Sequence, residues 1–319
     1  MATFPVLKST LSNRGDAAQL EPRAVASASR ARLLVATDGS PQSDAAVNIA
    51  RALARRDGLD VELLTVYEPP RFGAVTLTGQ DDPWIATLPR KAEVWSGIEK
   101  QRHRLDPASP RWPVKIEEGP PARVISRIAR PGAYELVVMG LGAHRFVERS
   151  LRGETALRTI RMAEIPVLAV APDTTALPRS AVVAMDFSLP AIQAARASCA
   201  LLGETGTLIV AYVRPGEVAL GEPALVELPD AALVETLFDD LRKTLPVPSG
   251  VSLETVMLSG DPAQAILSLA QSREVDLIAA GSHGYSAFER ALLGSVSTSL
   301  LRRAECSVLV APPVRRRPM

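Results

Sequence analysis

The 319-residue chain has few of the residues that build metal sites, disulfide frameworks and catalytic dyads. Its two cysteines, Cys199 and Cys306, have no metal-ligand spacing around them, so we expect buried, reduced thiols in a cytoplasmic protein. Three histidines in the whole chain leave no convincing acid–base pair or Ser-His-Asp arrangement. Lys and Arg total 36 against 35 Asp and Glu, a balance that predicts neither a nucleic-acid partner nor binding to an anionic membrane.

Long apolar runs are also missing, since none approaches the roughly 18–20 residues that a membrane-spanning helix needs. A hydrophobic fraction of 47% with 22% charged residues is typical of a globular protein, and 319 residues suffice for two ordinary domains. Residues 1–30 are rich in Ala, Ser and Arg and lack a signal-peptide core, so we expect a flexible N-terminal extension. Residues 314–319 are expected to be a basic tail.

Short apolar runs alternate with helical patterns along the rest of the chain, which predicts a parallel sheet covered by helices on both faces. The pattern occurs twice. Gly140 and Gly281 are separated by 141 positions (281 minus 140), and so are Gly153 and Gly294. Such a duplication predicts a first domain, a linker and a second domain at residues 31–172, 173–180 and 181–313.

The second copy carries glycines in the spacing G-x2-G-x9-G-S, formed by Gly281, Gly284, Gly294 and Ser295. The motif follows the apolar run 275–280, which predicts a buried strand, and Ser295 opens a predicted helix. Glycine lets backbone N–H groups approach a phosphate closely, and the free N–H groups and dipole of a helix start favour negative charge. The spacing therefore indicates a phosphate site, unless the glycines only turn the chain and Ser295 only caps the helix.

This spacing resembles the nucleotide-binding signature of the universal stress protein family, and Asp186 and the run Ser307–Ala311 stand where that family has a strand-end aspartate and its last strand. It is neither a Walker A loop nor a dinucleotide fingerprint. The resemblance covers roughly residues 32–313. It implies two flavodoxin-like (adenine nucleotide α-hydrolase-like) α/β domains, each an open-twisted, five-stranded parallel sheet flanked by helices. They would pair through their last strands, 167–171 and 307–311, as an intramolecular pseudo-dimer, with a further homodimer left open.

The resemblance also implies a function, which is binding of ATP or AMP by a stress-response regulator that acts on an unknown protein partner. Any Mg would arrive on the nucleotide. Asp186 and Val213 would lie at the adenosine end, although Asp186 could instead only accept a backbone N–H at its turn and Val213 only fill the core. The loop and phosphate end would comprise Gly281, His283, Gly284, Gly294, Ser295 and Val296, with His283 equally explained as an exposed loop histidine.

The first copy departs from this signature. Ala143 stands where the second glycine belongs, Gly142 comes one place early, and Glu154 replaces the serine. A carboxylate in the first helical turn would satisfy the helix N-terminus and repel a phosphate, so we expect Glu154 to take the anion position. The resulting degenerate site would comprise Asp38, Val66, Gly140, Gly142, Gly153 and Thr155.

Little or no catalysis is expected, because phosphoryl transfer needs a metal and a positioned base or nucleophile. Two alternatives stay open at this stage. A slow ATP hydrolase would use Asp186 near a metal and His283 near a water, and its phosphate release would disappear in Asp186→Asn. A nucleotide-free interaction scaffold would keep the pockets as relics.

Overall fold

The strands of both copies join in one sheet in the computed structural model, which describes residues 31–68, 91–105, 112–142, 154–214, 230–283 and 293–313. The described strands are β1 (Arg32–Ala36), β2 (Asp60–Tyr67), β3 (Val114–Glu118), β4 (Leu136–Gly140), β5 (Val167–Val170), β6 (Ser180–Met185), β7 (Thr205–Arg214), β8 (Gly250–Ser259), β9 (Leu277–Gly281) and β10 (Ser307–Ala311). Their order is β3-β2-β1-β4-β5-β10-β9-β6-β7-β8. Each half thus repeats one parallel five-stranded order, as predicted.

The two halves meet at β5 and β10, which are antiparallel, with Leu309 opposite Leu168. The other described strand pairs within each half are parallel. Every residue of β5 and β10 is buried, because helices cover both faces of the sheet and the neighbouring strands cover both edges. The predicted pairing through the last strands is confirmed, and each of these strands is thereby protected from association with another chain.

Eight α-helices cover the sheet within the described residues: α1 (Asp44–Asp57), α2 (Lys91–Leu105), α3 (Pro121–Ile128), α4 (Glu154–Met162), α5 (Leu189–Leu202), α6 (Ala231–Thr244), α7 (Pro262–Ser272) and α8 (Ser295–Arg303). α1, α2, α5 and α6 pack on one face, and α3, α4, α7 and α8 pack on the other. Each face therefore has a hydrophobic core that runs through both copies. None of the helices described here is long and apolar enough to cross a membrane.

The two copies also touch outside the sheet, where the C-terminal ends of α1 and α5 meet. Arg56 donates hydrogen bonds to the carbonyl oxygens of Leu201 (2.9 Å) and Ala200 (2.6 Å), and it pairs with Asp57 at 2.8 Å. The last carbonyl groups of a helix have no partners inside it, so the Arg56 guanidinium satisfies two acceptors of α5. One arginine of the first copy thus caps a helix of the second.

The two thiols differ in exposure. Cys199 is buried in α5, whereas Cys306 is only partly buried before β10, so the expectation of two buried thiols was wrong for Cys306. Burial nevertheless raises the pKa of each thiol to about 11. Both groups are therefore protonated at neutral pH and are poor nucleophiles.

Candidate functional site

The predicted second site begins where β6 and β9 end side by side. Ala184 of β6 pairs with Ala280 of β9, so Asp186 and Ser282 leave neighbouring parallel strands at the same level of the carboxyl edge. β6 connects onward to β7 on one side, and β9 connects to β10 on the other. This reversal of strand order is the place where open α/β sheets bind ligands.

Asp186 orders the turn from β6 into α5. Its Oδ1 accepts hydrogen bonds from the backbone N–H (3.0 Å) and the hydroxyl (2.5 Å) of Ser188. Ser188 is the N-cap of α5, and its Oγ accepts from the Ala191 N–H at 3.4 Å. The turn-forming role that the sequence left open for Asp186 is thus present, and contact of Asp186 with a ligand stays a prediction.

Phe187, between Asp186 and Ser188, adopts the left-handed backbone conformation with φ of 60°. The ring of Phe187 lies 5.7 Å from that of Tyr212 and 5.4 Å from that of Phe238, centroid to centroid. In the first copy the same position is Gly39, with φ of 77°. Left-handed geometry costs an ordinary residue about 1–2 kcal/mol, so the aromatic contacts stabilise a turn that glycine forms without strain.

Substitutions at Phe187 are therefore expected to separate backbone strain from ring packing. Both Phe187→Gly and Phe187→Ala lose the aromatic contacts and should be destabilised by about 1–3 kcal/mol. Glycine also relieves the left-handed strain, so Phe187→Gly should be about 1 kcal/mol more stable than Phe187→Ala. Urea unfolding followed by circular dichroism measures the difference, and an alanine variant at least as stable as the glycine variant would contradict the strain argument.

Gly281 and Gly140 end the fourth strand of each copy, and their packing gives a reason for glycine that the motif did not reveal. A Cβ atom at Gly281 would lie 2.8 Å from the Ala191 nitrogen and from the Pro190 Cβ. At Gly140 the nearest atom would be the Gln42 carbonyl oxygen, at 3.3 Å. The glycine lets the first helix of the same copy, which comes earlier in the chain, begin directly against the strand end. This packing role differs from the chain turn that the sequence offered as the alternative to a phosphate site.

The start of α8 is built from three of the residues predicted for the phosphate end. Gly294 is the N-cap and has no side chain with which to cap the helix, and Ser295 and Val296 are the first helical residues. The Gly294 N–H donates to the Ser282 carbonyl oxygen (2.8 Å), and the Ser297 hydroxyl donates to the Gly281 carbonyl oxygen (2.5 Å). These bonds fix the helix start beside β9. Because the first N–H groups of a helix have no partners inside it, this end suits an anion.

His283 follows Ser282 at the edge of the described loop and is partly buried, so its interpretation as an exposed histidine was wrong. Ser282 Oγ and His283 Nδ1 lie 2.9 Å apart. His283 Nε2 is buried and has no hydrogen-bond partner in the described part of the chain. Buried polar atoms are rarely left unpaired, so this nitrogen has capacity for a ligand or a water. Gly284, the next motif residue, lies outside the described residues.

Val213 lies in β7, one residue before its end, and is 9% exposed. Its side chain belongs to the core on the α7 and α8 face. Val66 holds the corresponding place in β2 and is half-buried against the same core. Both side chains are used for packing, so any ligand contact of Val213 is expected through its backbone.

The first copy repeats the turn but not the helix start. Asp38 Oδ1 accepts from the Ser40 N–H (3.0 Å) and hydroxyl (2.6 Å), as Asp186 does from Ser188. Glu154 at the start of α4 pairs with Arg158 one turn later, Oε1 to Nε at 2.8 Å. The Glu154 carboxylate is thus paired with a residue of its own helix, and its expected place at the anion position of the helix start stays a prediction. Thr155 is exposed.

Two further glycines, Gly142 and Gly153, were predicted for the site of the first copy. Gly142 has φ of 78°, a conformation that favours glycine and that explains its place in the turn after β4. Gly153 lies outside the described residues, as does Ala143.

A buried polar network fastens α2 to the Asp38 turn, and sequence reasoning missed it. Gln101, 1% exposed, donates to Ser43 Oγ (2.9 Å) and Asp44 Oδ1 (2.7 Å) and accepts from the Thr37 hydroxyl (2.8 Å). Arg104 donates to the carbonyl oxygen of Gly39 at 3.0 Å. Because these polar groups are buried, they need hydrogen-bond partners, and the completed network fixes their geometry. Helical spacing could have indicated Gln101, because Val94, Ile98 and Gln101 follow one another at i, i+4 and i+7 and form the buried face of α2.

The described residues do not form a metal centre at these strand ends. In the portions of the chain that the structure describes, no three His, Cys, Asp or Glu side chains form a group able to hold a metal. A cleft of about 410 Å³ is lined by Arg32, Asp60, Val61 and Trp112, at the amino ends of the strands. It therefore lies at the opposite edge of the sheet from Asp38 and Asp186.

Comparison with known proteins gives a consistent result. The model of the "Universal stress protein family" matches residues 30–171 and 178–312. A universal stress protein of Thermus aquaticus is 34% identical over 104 residues, which is 32% of this chain and 74% of that protein. One from Methanocaldococcus jannaschii is 44% identical over 61 residues, or 19% of this chain and 36% of the relative, so the chain spans about a third of that relative's length.

A solved structure supports the fold independently. The crystal structure of a universal stress protein from Archaeoglobus fulgidus superposes with a TM-score of 0.62 at 22% identity, covering 88% of this chain and 96% of that one. The superposition includes both copies, so the arrangement of two five-stranded halves in one chain is shared with that protein.

Proposed function

We propose that this chain, which belongs to the universal stress protein family, binds an adenine nucleotide, ATP or AMP, chiefly in the second copy. Binding would regulate contact with a partner protein in a stress response, with little or no catalysis. A bound nucleotide would bring any Mg on its phosphates, with Asp186 nearby at the strand edge.

One observation carries the proposal, which is the difference between the two corresponding helix starts. α8 begins Ser295-Val296-Ser297, and its N-cap is a glycine, which has no side chain to cap the helix. α4 begins Glu154-Thr155-Ala156, with a carboxylate at the position of Ser295. A helix start attracts a phosphate, and a fixed carboxylate beside it repels one. The second copy therefore suits a phosphate, and the first copy suits it less.

The surrounding groups support the same place for a ligand. Asp186 and His283 leave adjacent strands at the switch point, and His283 Nε2 is buried without a partner in the described chain. A phosphate over the α8 start would lie near the His283 ring, and a ribose over the β6 end would lie near Asp186. Since one oxygen of Asp186 is used by Ser188, it is better suited to positioning than to acting as a base.

The direct test is mass spectrometry of the small molecules released when the freshly purified protein is denatured. We expect ATP or AMP at about one molecule per chain. A value near two would contradict the degenerate first site. Release of nothing, together with an unchanged melting temperature in added ATP, would contradict nucleotide binding and leave the scaffold alternative.

A further inference from the structure

Three arginines lie on the exposed side of α3 and just beyond its end, in the first copy only. Arg123 and Arg127 are one helical turn apart, and Arg130 follows the helix. With Met162, which is 45% exposed, they line an open cleft of about 380 Å³ between α3 and the end of α4. We call this the α3 basic surface.

Two acidic residues, Glu117 and Glu164, lie near these arginines, and Glu164 lines the same cleft. Glu117 pairs with Arg127 at 3.0 Å and is shared with Lys115 at 3.5 Å. Arg123 and Arg130 have no ion pair in the part of the chain that the structure describes. Because the formal charge of the whole chain is only +1, this is a local concentration of positive charge.

The duplicated copy shows that the fold does not require this charge. The corresponding residues of α7, 141 positions later, are Gln264, Ser268 and Gln271. Arg303 corresponds to Met162, and it donates a hydrogen bond to Gln264. The second copy therefore has a single arginine at this place, and its guanidinium is hydrogen-bonded to Gln264. The combination of unpaired arginines with an exposed methionine is specific to the first copy.

We propose that the α3 basic surface binds an acidic peptide segment of a partner protein, with an apolar side chain of that segment packed on Met162. Arginine suits carboxylates because its planar fork donates two parallel hydrogen bonds. Methionine suits a peptide side chain because it adapts its shape. The described cleft includes no aromatic side chain on which a base could stack, which favours a peptide over single-stranded nucleic acid.

The position of the surface makes it independent of the nucleotide site. Arg127 and Arg130 also line a second cleft with Arg32 and Lys115, at the amino edge of the sheet. The proposed nucleotide site lies at the carboxyl edge of the other copy. A partner could therefore bind here whether or not a nucleotide is bound, and the two proposals can fail separately.

The test is fluorescence polarisation with the full chain and three labelled 15-mers: a glutamate peptide with leucine at every fourth position, an all-glutamate peptide and oligo-dT. The glutamate–leucine peptide should bind the wild-type chain. Replacing the arginines with the residues of the second copy (Arg123→Gln, Arg127→Ser and Arg130→Gln) should weaken binding about tenfold or more. The matched control (Arg242→Gln, Lys243→Ser and Arg273→Gln) removes the same charge from the second copy and should change affinity less than twofold.

Met162→Gln tests the apolar contact without changing charge. It should weaken the glutamate–leucine peptide about threefold and leave the all-glutamate peptide unchanged. Circular dichroism confirms that each variant is folded. No binding by the wild type, equal loss in both triple variants, tighter binding of oligo-dT, or an unchanged peptide preference in Met162→Gln would each overturn the proposal.

Discussion

Ser295→Glu is expected to abolish nucleotide binding in the second copy, with a loss of ATP affinity of about 100-fold or more. The substitution places at the start of α8 the carboxylate that Glu154 places at the start of α4. Two unit charges about 4 Å apart repel by roughly 4 kcal/mol near a protein surface, and about 2.7 kcal/mol already corresponds to 100-fold. Isothermal titration calorimetry with ATP measures the loss.

Two variants sharpen this test. Ser299→Glu adds the same charge one turn further along α8, away from the helix start, and should retain binding within a fewfold. Glu154→Ser makes the reverse exchange in the first copy and should add a second, weaker site. If Ser295→Glu binds ATP as the wild type does, the helix start is not the phosphate site.

Gly281→Ala is expected to destabilise the second copy by about 2–3 kcal/mol before any ligand is considered. The new Cβ would lie 2.8 Å from the backbone nitrogen of Ala191 and from the Pro190 Cβ, so the start of α5 must move away from the strand. Overpacking of this kind typically costs about 1–3 kcal/mol, and here the obstacle is partly backbone. Urea unfolding of the nucleotide-free protein gives the change.

Gly140→Ala is the matched control, because the closest atom to its Cβ would be 3.3 Å away. It should cost less than about 1.5 kcal/mol. An equal loss at both positions would show that the strand end adjusts, and the packing argument for Gly281 would be wrong. A destabilised Gly281→Ala that still binds ATP when folded would assign this motif glycine to packing alone.

The two copies share one backbone arrangement at the turn after the first strand and differ in the side chains around it. The turn after the first strand is Asp38-Gly39-Ser40 in one copy and Asp186-Phe187-Ser188 in the other, with the same aspartate-to-serine hydrogen bonds. The first copy fastens its next helix with a polar network around Gln101, and the second uses the ring of Phe238.

The duplication and the sheet were determined by the sequence itself. Uninterrupted apolar runs such as Leu136–Gly140 and Ser307–Ala311 predicted strands buried on both faces, and the separation of 141 positions between corresponding glycines predicted two copies of one plan. These are local or repeated patterns, which a single chain displays directly. The helix start at Ser295 was predicted for the same reason, since glycine and serine mark it locally.

Only the tertiary structure decided why particular residues stand at the site. A glycine is needed at position 281 because Pro190 leaves no room for a Cβ atom. Phe187 can adopt its left-handed backbone conformation because its ring packs against Tyr212 and Phe238. Gln101 is buried because Ser43 and Asp44 receive its hydrogen bonds. Each of these contacts joins residues far apart in the chain, so their energy depends on the folded arrangement. The helical spacing that places Gln101 on the buried face of α2 does not identify its partners.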